Sequence, residues 1–231
     1  MNRIRLPLWA ALLLPGCLIY AYSTFSTHQN PLSIKAWQAP PLGIAMQKLF
    51  AGQYLGLAAD YNLLRVFSLY DLQPHSDNRA TEGQNLWPQI QQHLINATRL
   101  DPYFKDSYRL ITGLLAFQPK RADLAVKLLE YGSAYRTRDW EIPFVAAFLS
   151  HEMLKDDQRA FKLMREAATR PGAPPLAAAL AARFLRKNVG LAASIQFLEY
   201  LKTILPKNYW PSLQKRIQKL QQEGAERGEK P

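Results

Sequence analysis

Histidines, cysteines, serines and paired carboxylates are the residues from which an active site would be built, and here they stand far apart. His28, His75, His93 and His151 are scattered, and no His-x-x-x-His, Cys-x-x-Cys or Glu-x-x-His spacing occurs. Metal motifs put two donors on one face of a helix or turn, so neither a metal centre nor a cofactor is expected. Ser150-His151-Glu152 gathers three relay residue types, but consecutive residues of a helix point to different faces and cannot pass a proton in line. The nucleophile elbow, the P-loop and the dinucleotide fingerprint are missing. Asp156-Asp157 and the pair Asp139/Glu141 fall at expected helix starts, where carboxylates cap free N–H groups and offset the helix dipole. Glycan cleavage by such a pair would need a catalytic domain around it, and no residues remain to build one. Asn96-Ala97-Thr98 has the spacing of a glycosylation acceptor but sits inside an expected helix. No enzyme is expected.

The elements that must position any site are helices. The chain has 231 residues, with 36 leucines against four valines and alanine runs such as 177–182. Leu and Ala are strong helix formers, whereas strands favour β-branched residues, so the expected fold is all-α. A hydrophobic share of 48% with 20% charged residues is that of a globular chain. One cysteine excludes a disulfide framework and a redox pair within the chain.

Arg3 and Arg5 precede a charge-free stretch from Leu6 to Thr27. That length just suffices to span the hydrocarbon of a bilayer, and basic residues on its N-terminal side keep that end cytoplasmic. Residues 1–27 therefore read as a membrane anchor or signal segment, with the remainder exported. This suggests a single-pass protein of the bacterial inner membrane whose folded domain lies in the periplasm. Leu14-Pro15-Gly16-Cys17 also resembles a lipobox, in which Cys17 would become the lipidated N-terminus. Residues 28–42, with Pro31, Pro40 and Pro41, read as a stiff tether.

Helical periodicity begins at Gly43. Leu49, Phe50, Tyr54, Leu57, Tyr61 and Leu64 recur at spacings of three, four and seven, predicting one long helix to about Tyr70, followed by a turn-rich connection to residue 83. Short helices are then predicted over 84–100, 103–117, 121–135, 140–154, 157–169, 175–187, 191–205 and 209–222. Connections of two to five residues make neighbouring helices antiparallel. The last helix, within 206–223, carries Lys215, Arg216 and Lys219 and reads as a cap, and 224–231 as a disordered tail. Trp140 is expected to staple the start of its helix by packing on Phe144.

Asn96-Ala97-Thr98-Arg99-Leu100-Asp101-Pro102 resembles the end of a tetratricopeptide repeat. The small residues Gly113, Ala125 and Gly132, then Ala147, Ala160 and Ala167, then Ala181 and Ala193, follow that family's separations. Ala125 to Ala160 and Ala160 to Ala193 bracket its unit of about 34 residues. Small residues are needed where helices cross closely, and large ones such as Leu129, Phe161, Leu163 and Phe197 fill the seams. The resemblance covers residues 84–205 and implies a right-handed superhelix of antiparallel helix pairs, an α-solenoid whose concave groove binds peptides or partner proteins. It implies no reaction. A plain stack of helical hairpins of similar period is the alternative.

A groove lined by the first helix of each pair would present Tyr108, Leu110, Leu114, Val145, Leu149, Ala178 and Ala182 to a protein or peptide partner. Net charge is +11, and +6 of it falls in residues 171–231, on Arg183, Arg186, Lys187, Lys202, Lys207, Lys215, Arg216 and Lys219 among others. Anionic lipid or an acidic partner would suit such a region. Nucleic acid is a poor partner for an exported domain without stacking motifs. The function expected is a membrane-tethered scaffold for assembly of an envelope complex. The alternative is a structural subunit of a larger membrane complex docking through the helix over 43–70, and a cell-envelope enzyme is the least favoured reading.

Overall fold

The computed structural model of the chain describes residues 41–72, 85–118 and 120–228. The stretch from Leu6 to Thr27, Cys17 within it, most of the tether and the turn-rich connection lie outside them. Among the described residues there are ten α-helices and no strand. They are α1 (Ile44–Ala51), α2 (Leu55–Leu72), α3 (Trp87–Leu100), α4 (Lys105–Leu114), α5 (Ala122–Tyr135), α6 (Glu141–Glu152), α7 (Asp157–Thr169), α8 (Pro175–Asn188), α9 (Leu191–Ile204) and α10 (Trp210–Arg227). A single 3₁₀ turn, Lys207–Tyr209, leads into α10. None of these helices is long and apolar enough to cross a membrane.

Each helix packs on its neighbour in chain order, α5 also reaches α3, and α10 also reaches α8. That packing is consistent with an α-solenoid, and one continuous core runs from Leu63 on α2 to Leu220 on α10. The helix starts follow from their caps. Asp156 accepts from the Arg159 N–H at 2.9 Å, Asp139 accepts from the Glu141 N–H at 3.1 Å, and Pro175 opens α8 where a missing N–H costs little. Trp140 meets the Phe144 ring edge-on, 5.7 Å between centroids.

Two boundaries differ from expectation. The helix predicted as continuous from 43 to 70 breaks after Ala51, where Gly52 takes φ +52°, a conformation that glycine adopts without steric cost. At the other end, α10 runs on to Arg227, and Gly224 is buried rather than part of a loose tail.

The 34-residue spacing appears in the bonds between helix pairs. Arg136 Nη1 donates to the Tyr103 carbonyl, 33 residues back, and Arg170 Nη1 donates to the Arg136 carbonyl, 34 residues back, at 2.9 Å. Ser133 Oγ donates to Glu166 across 33 residues at 2.8 Å, and Phe161 meets Phe197 edge-on. The loops after α3, α5 and α7 are thus tied one to the next.

Of the small residues expected at close crossings, Ala125, Ala147, Ala160, Ala167 and Ala181 are fully buried and Gly132 is buried. Ala193 is only half-buried, and Gly113 is exposed, where a built Cβ meets nothing within 4 Å. A Cβ at Gly132 would lie 2.3–2.7 Å from ring atoms of Tyr108. The two glycines therefore give opposite results. Gly132→Ala lowers stability by about 1–3 kcal/mol through overpacking. Gly113→Ala raises it by about 0.5–1 kcal/mol, because alanine gives up less backbone freedom on folding. Urea midpoints at constant slope read both. In a Tyr108→Ala background the penalty at Gly132 should shrink, because the three closest contacts are all with that ring.

Candidate partner-binding surface

A concave site lies between α4, α5 and α6. Its floor is the buried Tyr108, Leu129 and Ile142, its sides are Thr112 and Val145, and its rim is Lys105, Arg109 and Glu141. The volume is about 170 Å³, below the roughly 300–1,000 Å³ of small-molecule and cofactor sites. It matches an inserted apolar side chain rather than a bound cofactor.

Tyr108 is placed by two constraints. Its ring lies against Gly132, and its hydroxyl donates to the Pro102 carbonyl at 2.8 Å. Burial pushes the Tyr108 phenol well above its ordinary range, so it stays a neutral donor. On the rim, Lys105 Nζ bridges Glu141 at 2.6 Å and Asp139 at 3.1 Å. The bond to Glu141 is the main cause holding the Lys105 ammonium above its ordinary pKa. Burial works against the Asp139 carboxylate, yet Lys105 and Arg136 hold it below the usual carboxylate range. The rim is therefore a fixed set of charges around an apolar floor. Its size and polarity fit a side chain with polar backbone on either side.

Of the seven residues proposed from sequence to line a groove, Tyr108 and Val145 reach this cleft. Leu110 and Leu114 are half-buried against the core. Leu149, Ala178 and Ala182 are corrections: all three are buried in the helix stack, at 1%, 4% and 0% exposure. The outward positions are one residue away, at Phe148 on α6 and at Ala179 and Arg183 on α8. One residue is about 100° of helix rotation. On α6, apolar without interruption from Ile142 to Leu149, nothing in that run fixed the angle. Arg109 and Glu141 were not singled out as binding residues. Their signal was their place one turn from an expected small residue or helix start, on the rim rather than the floor.

The basic C-terminal region is less free than its composition implied. Arg186 pairs with Glu223 at 2.6 Å, Lys187 with Asp157, and Lys202 with Glu199 at 2.9 Å. A second, larger concavity of about 480 Å³ is lined by Lys162, Arg165, Glu166, Thr169 and Tyr200. Tyr200, standing where the repeat pattern wants a small residue, is exposed in its wall.

His151 does meet a carboxylate. Its Nδ1 lies 2.5 Å from Asp157 Oδ1, and its ring lies on Phe184. Asp157 also binds Lys187, and the Ser150 hydroxyl donates back to the Ala146 carbonyl. The contact ties α6 to α7 and α8 without a nucleophile. Among the described residues, no three of His, Cys, Asp and Glu are grouped to hold a metal ion.

No protein family, curated protein or solved structure matches the chain.

Proposed function

We propose that the chain is a membrane-tethered, exported helical-repeat scaffold that holds a partner protein or peptide for assembly of an envelope complex. The observation that carries this reading is the cleft over Tyr108, Leu129 and Ile142. It is apolar at its floor, charged at its rim, preformed, and built on rigid helices. A partner segment that inserts one apolar side chain there gains desolvation without ordering the host, which is how grooves of stacked helices bind. Tetratricopeptide-like, right-handed stacking of the helix pairs belongs to the same proposal and is supported by the bonds that recur at 33 and 34 residues. Attachment to the inner membrane rests on the charge-free stretch from Leu6 to Thr27.

Photo-cross-linking in intact membranes tests the reading. A photoreactive residue at Arg109 or at Val145 should capture the same partner, and one at Lys127, exposed on α5, should not. Val145→Arg should then abolish capture from position 109 while the circular dichroism stays helical. Equal capture from all three positions, or none from the cleft, would refute it.

A further inference from the structure

The most conspicuous feature that the cleft leaves unused is the outer face of α1 and α2. On α2, Ala59, Asn62, Leu63, Val66 and Leu69 are buried, the helix packing on α3. The opposite side is apolar as well. Leu57, Tyr61 and Leu64 follow one another at spacings of four and three and are 69%, 59% and 64% exposed. Val66, nine residues beyond Leu57, is about half a turn of the helix away from it. Phe67 widens the stripe, and α1 adds Leu49 and Phe50, each 72% exposed. A helix of a water-soluble stack turns polar residues to this side. More than half of the exposed large apolar side chains of the described chain fall between residues 42 and 72. Exposed apolar area on that scale within one segment marks a surface that something covers.

The covering partner can be identified from the chain that precedes it. Residues 1–40 lead into α1 and include the charge-free stretch from Leu6 to Thr27. The residues 28–40 between them reach at most about 45 Å when fully extended. If that stretch is in a bilayer, the lipid surface is never farther than this from α1. A tethered partner acts at a high effective concentration, which a freely diffusing protein does not have. The stripe itself has the composition of an interfacial contact. Leucine and phenylalanine enter the acyl boundary, and Tyr61 sits where amphipathic rings prefer the headgroup layer. Asp60 lies within the stripe, three residues from Leu57 and four from Leu64, and Asp71 lies four residues beyond Phe67 at its end; both are exposed, as a carboxylate in the hydrated headgroup layer must be. Residues 41–72 are themselves neutral, Lys48 and Arg65 balancing Asp60 and Asp71, so the pull towards anionic lipid comes from the rest of the +11 chain.

We infer that the face made by Leu49, Phe50, Leu57, Tyr61, Leu64 and Phe67 lies in the interfacial layer of a lipid bilayer, so that the helical stack rests on the membrane instead of hanging from its tether. The inference depends on the membrane attachment proposed above, and the test separates the two. The full chain, with Cys17→Ser, is given an environment-sensitive fluorophore at Leu64→Cys or, as control, at Lys127→Cys. Each is reconstituted at low protein-to-lipid ratio into vesicles of phosphatidylcholine and phosphatidylglycerol, with iodide on both sides.

Spin-labelled lipid should quench the label at position 64 several-fold more than the label at 127, and iodide should do the reverse. Replacing Leu57 and Phe67 by glutamine should move the label at 64 towards the control, with helical circular dichroism unchanged. If the vesicles carry the protein but iodide reaches position 64 freely, this inference fails and the attachment stands. If position 64 is shielded from both quenchers, or shielded only at high protein-to-lipid ratio, a protein covers the face and the inference fails. If the chain does not float with the vesicles, both readings fail.

Discussion

Replacing Arg170 by methionine lowers stability by about 3 kcal/mol or more, as breaking a buried charged hub does in general. The guanidinium is 7% exposed and sits at the end of α5, whose last carbonyls have no partners within the helix. Its Nη2 donates to the Ser133 carbonyl and hydroxyl, each at 2.8 Å, and to Glu166. Its Nη1 donates to the Arg136 carbonyl at 2.9 Å and the Asp139 carbonyl at 2.5 Å. Arg170 is thus a C-terminal cap for α5 that arrives from the next repeat, and a cation at the negative end of that helix. Methionine would fill the space but leave the carbonyls without donors, where each unmet group costs about 1–3 kcal/mol. Lysine should not rescue, because one ammonium cannot present the two-sided fork that reaches five acceptors. Chemical denaturation of Arg170→Met and Arg170→Lys reads both statements. A loss within 0.5 kcal/mol for either would show that water replaces the fork and that the hub does not hold the stack.

The hub was not legible in the sequence, and the reason is general. Helix periodicity and breakers are local signals, so α7 was bounded to the residue and the other repeat helices to within three. The break in the first helix was missed because an apolar pattern that fits both sides of Gly52 looks like one helix. Small-residue spacing carried the stacking at Ala125, Gly132, Ala147 and Ala160, where packing leaves no room for a larger side chain. It failed at Gly113, because a glycine records a close approach and an open surface with the same letter. Arg170 follows no such pattern: its meaning lies in acceptors on another repeat, 31–37 residues back.

The site was legible to the same extent and for the same reason. Tyr108 and Val145 reach the cleft because their helices were placed correctly. Leu149, Ala178 and Ala182 do not, because alanine- and leucine-rich helices leave the rotation about their axes open. The face on α1 and α2 presents the same ambiguity from the other side. A helix with large apolar residues on both sides gives little sequence clue to which half the protein itself covers. Only the packing of Val66 and Leu69 on the core decides that Leu57, Tyr61 and Leu64 are the half left over.

Acidification from pH 7 to 4 should destabilise the fold by about 3 kcal/mol through His93 alone. His93 is 2% exposed on α3 and its Nδ1 lies 2.8 Å from Asn62 Oδ1. Asn62 uses its amide hydrogens on Gln47 Oε1 and the Ala58 carbonyl, each at 2.7 Å, so its oxygen is the acceptor and His93 Nδ1 donates. That leaves Nε2 as the unprotonated nitrogen, buried with no partner. Burial, with the Arg65 charge adding to it, lowers the His93 pKa from 6.5 to about 4. Between those values the unfolded chain binds a proton that the folded chain refuses, so stability falls as the pH drops from 6.5 towards 4 and is flat on either side. Through Gln47, whose Nε2 donates to the Leu42 carbonyl at 2.6 Å, the same network fastens α1 and the start of the described chain onto α2 and α3. Urea midpoints should therefore slide most between pH 6.5 and 4. His93→Asn keeps a donor near Asn62 Oδ1 and removes the titrating ring, so it should be less stable at pH 7 but nearly level across that window. An unchanged slope in the variant would assign the acid sensitivity to other groups and remove His93 from the account.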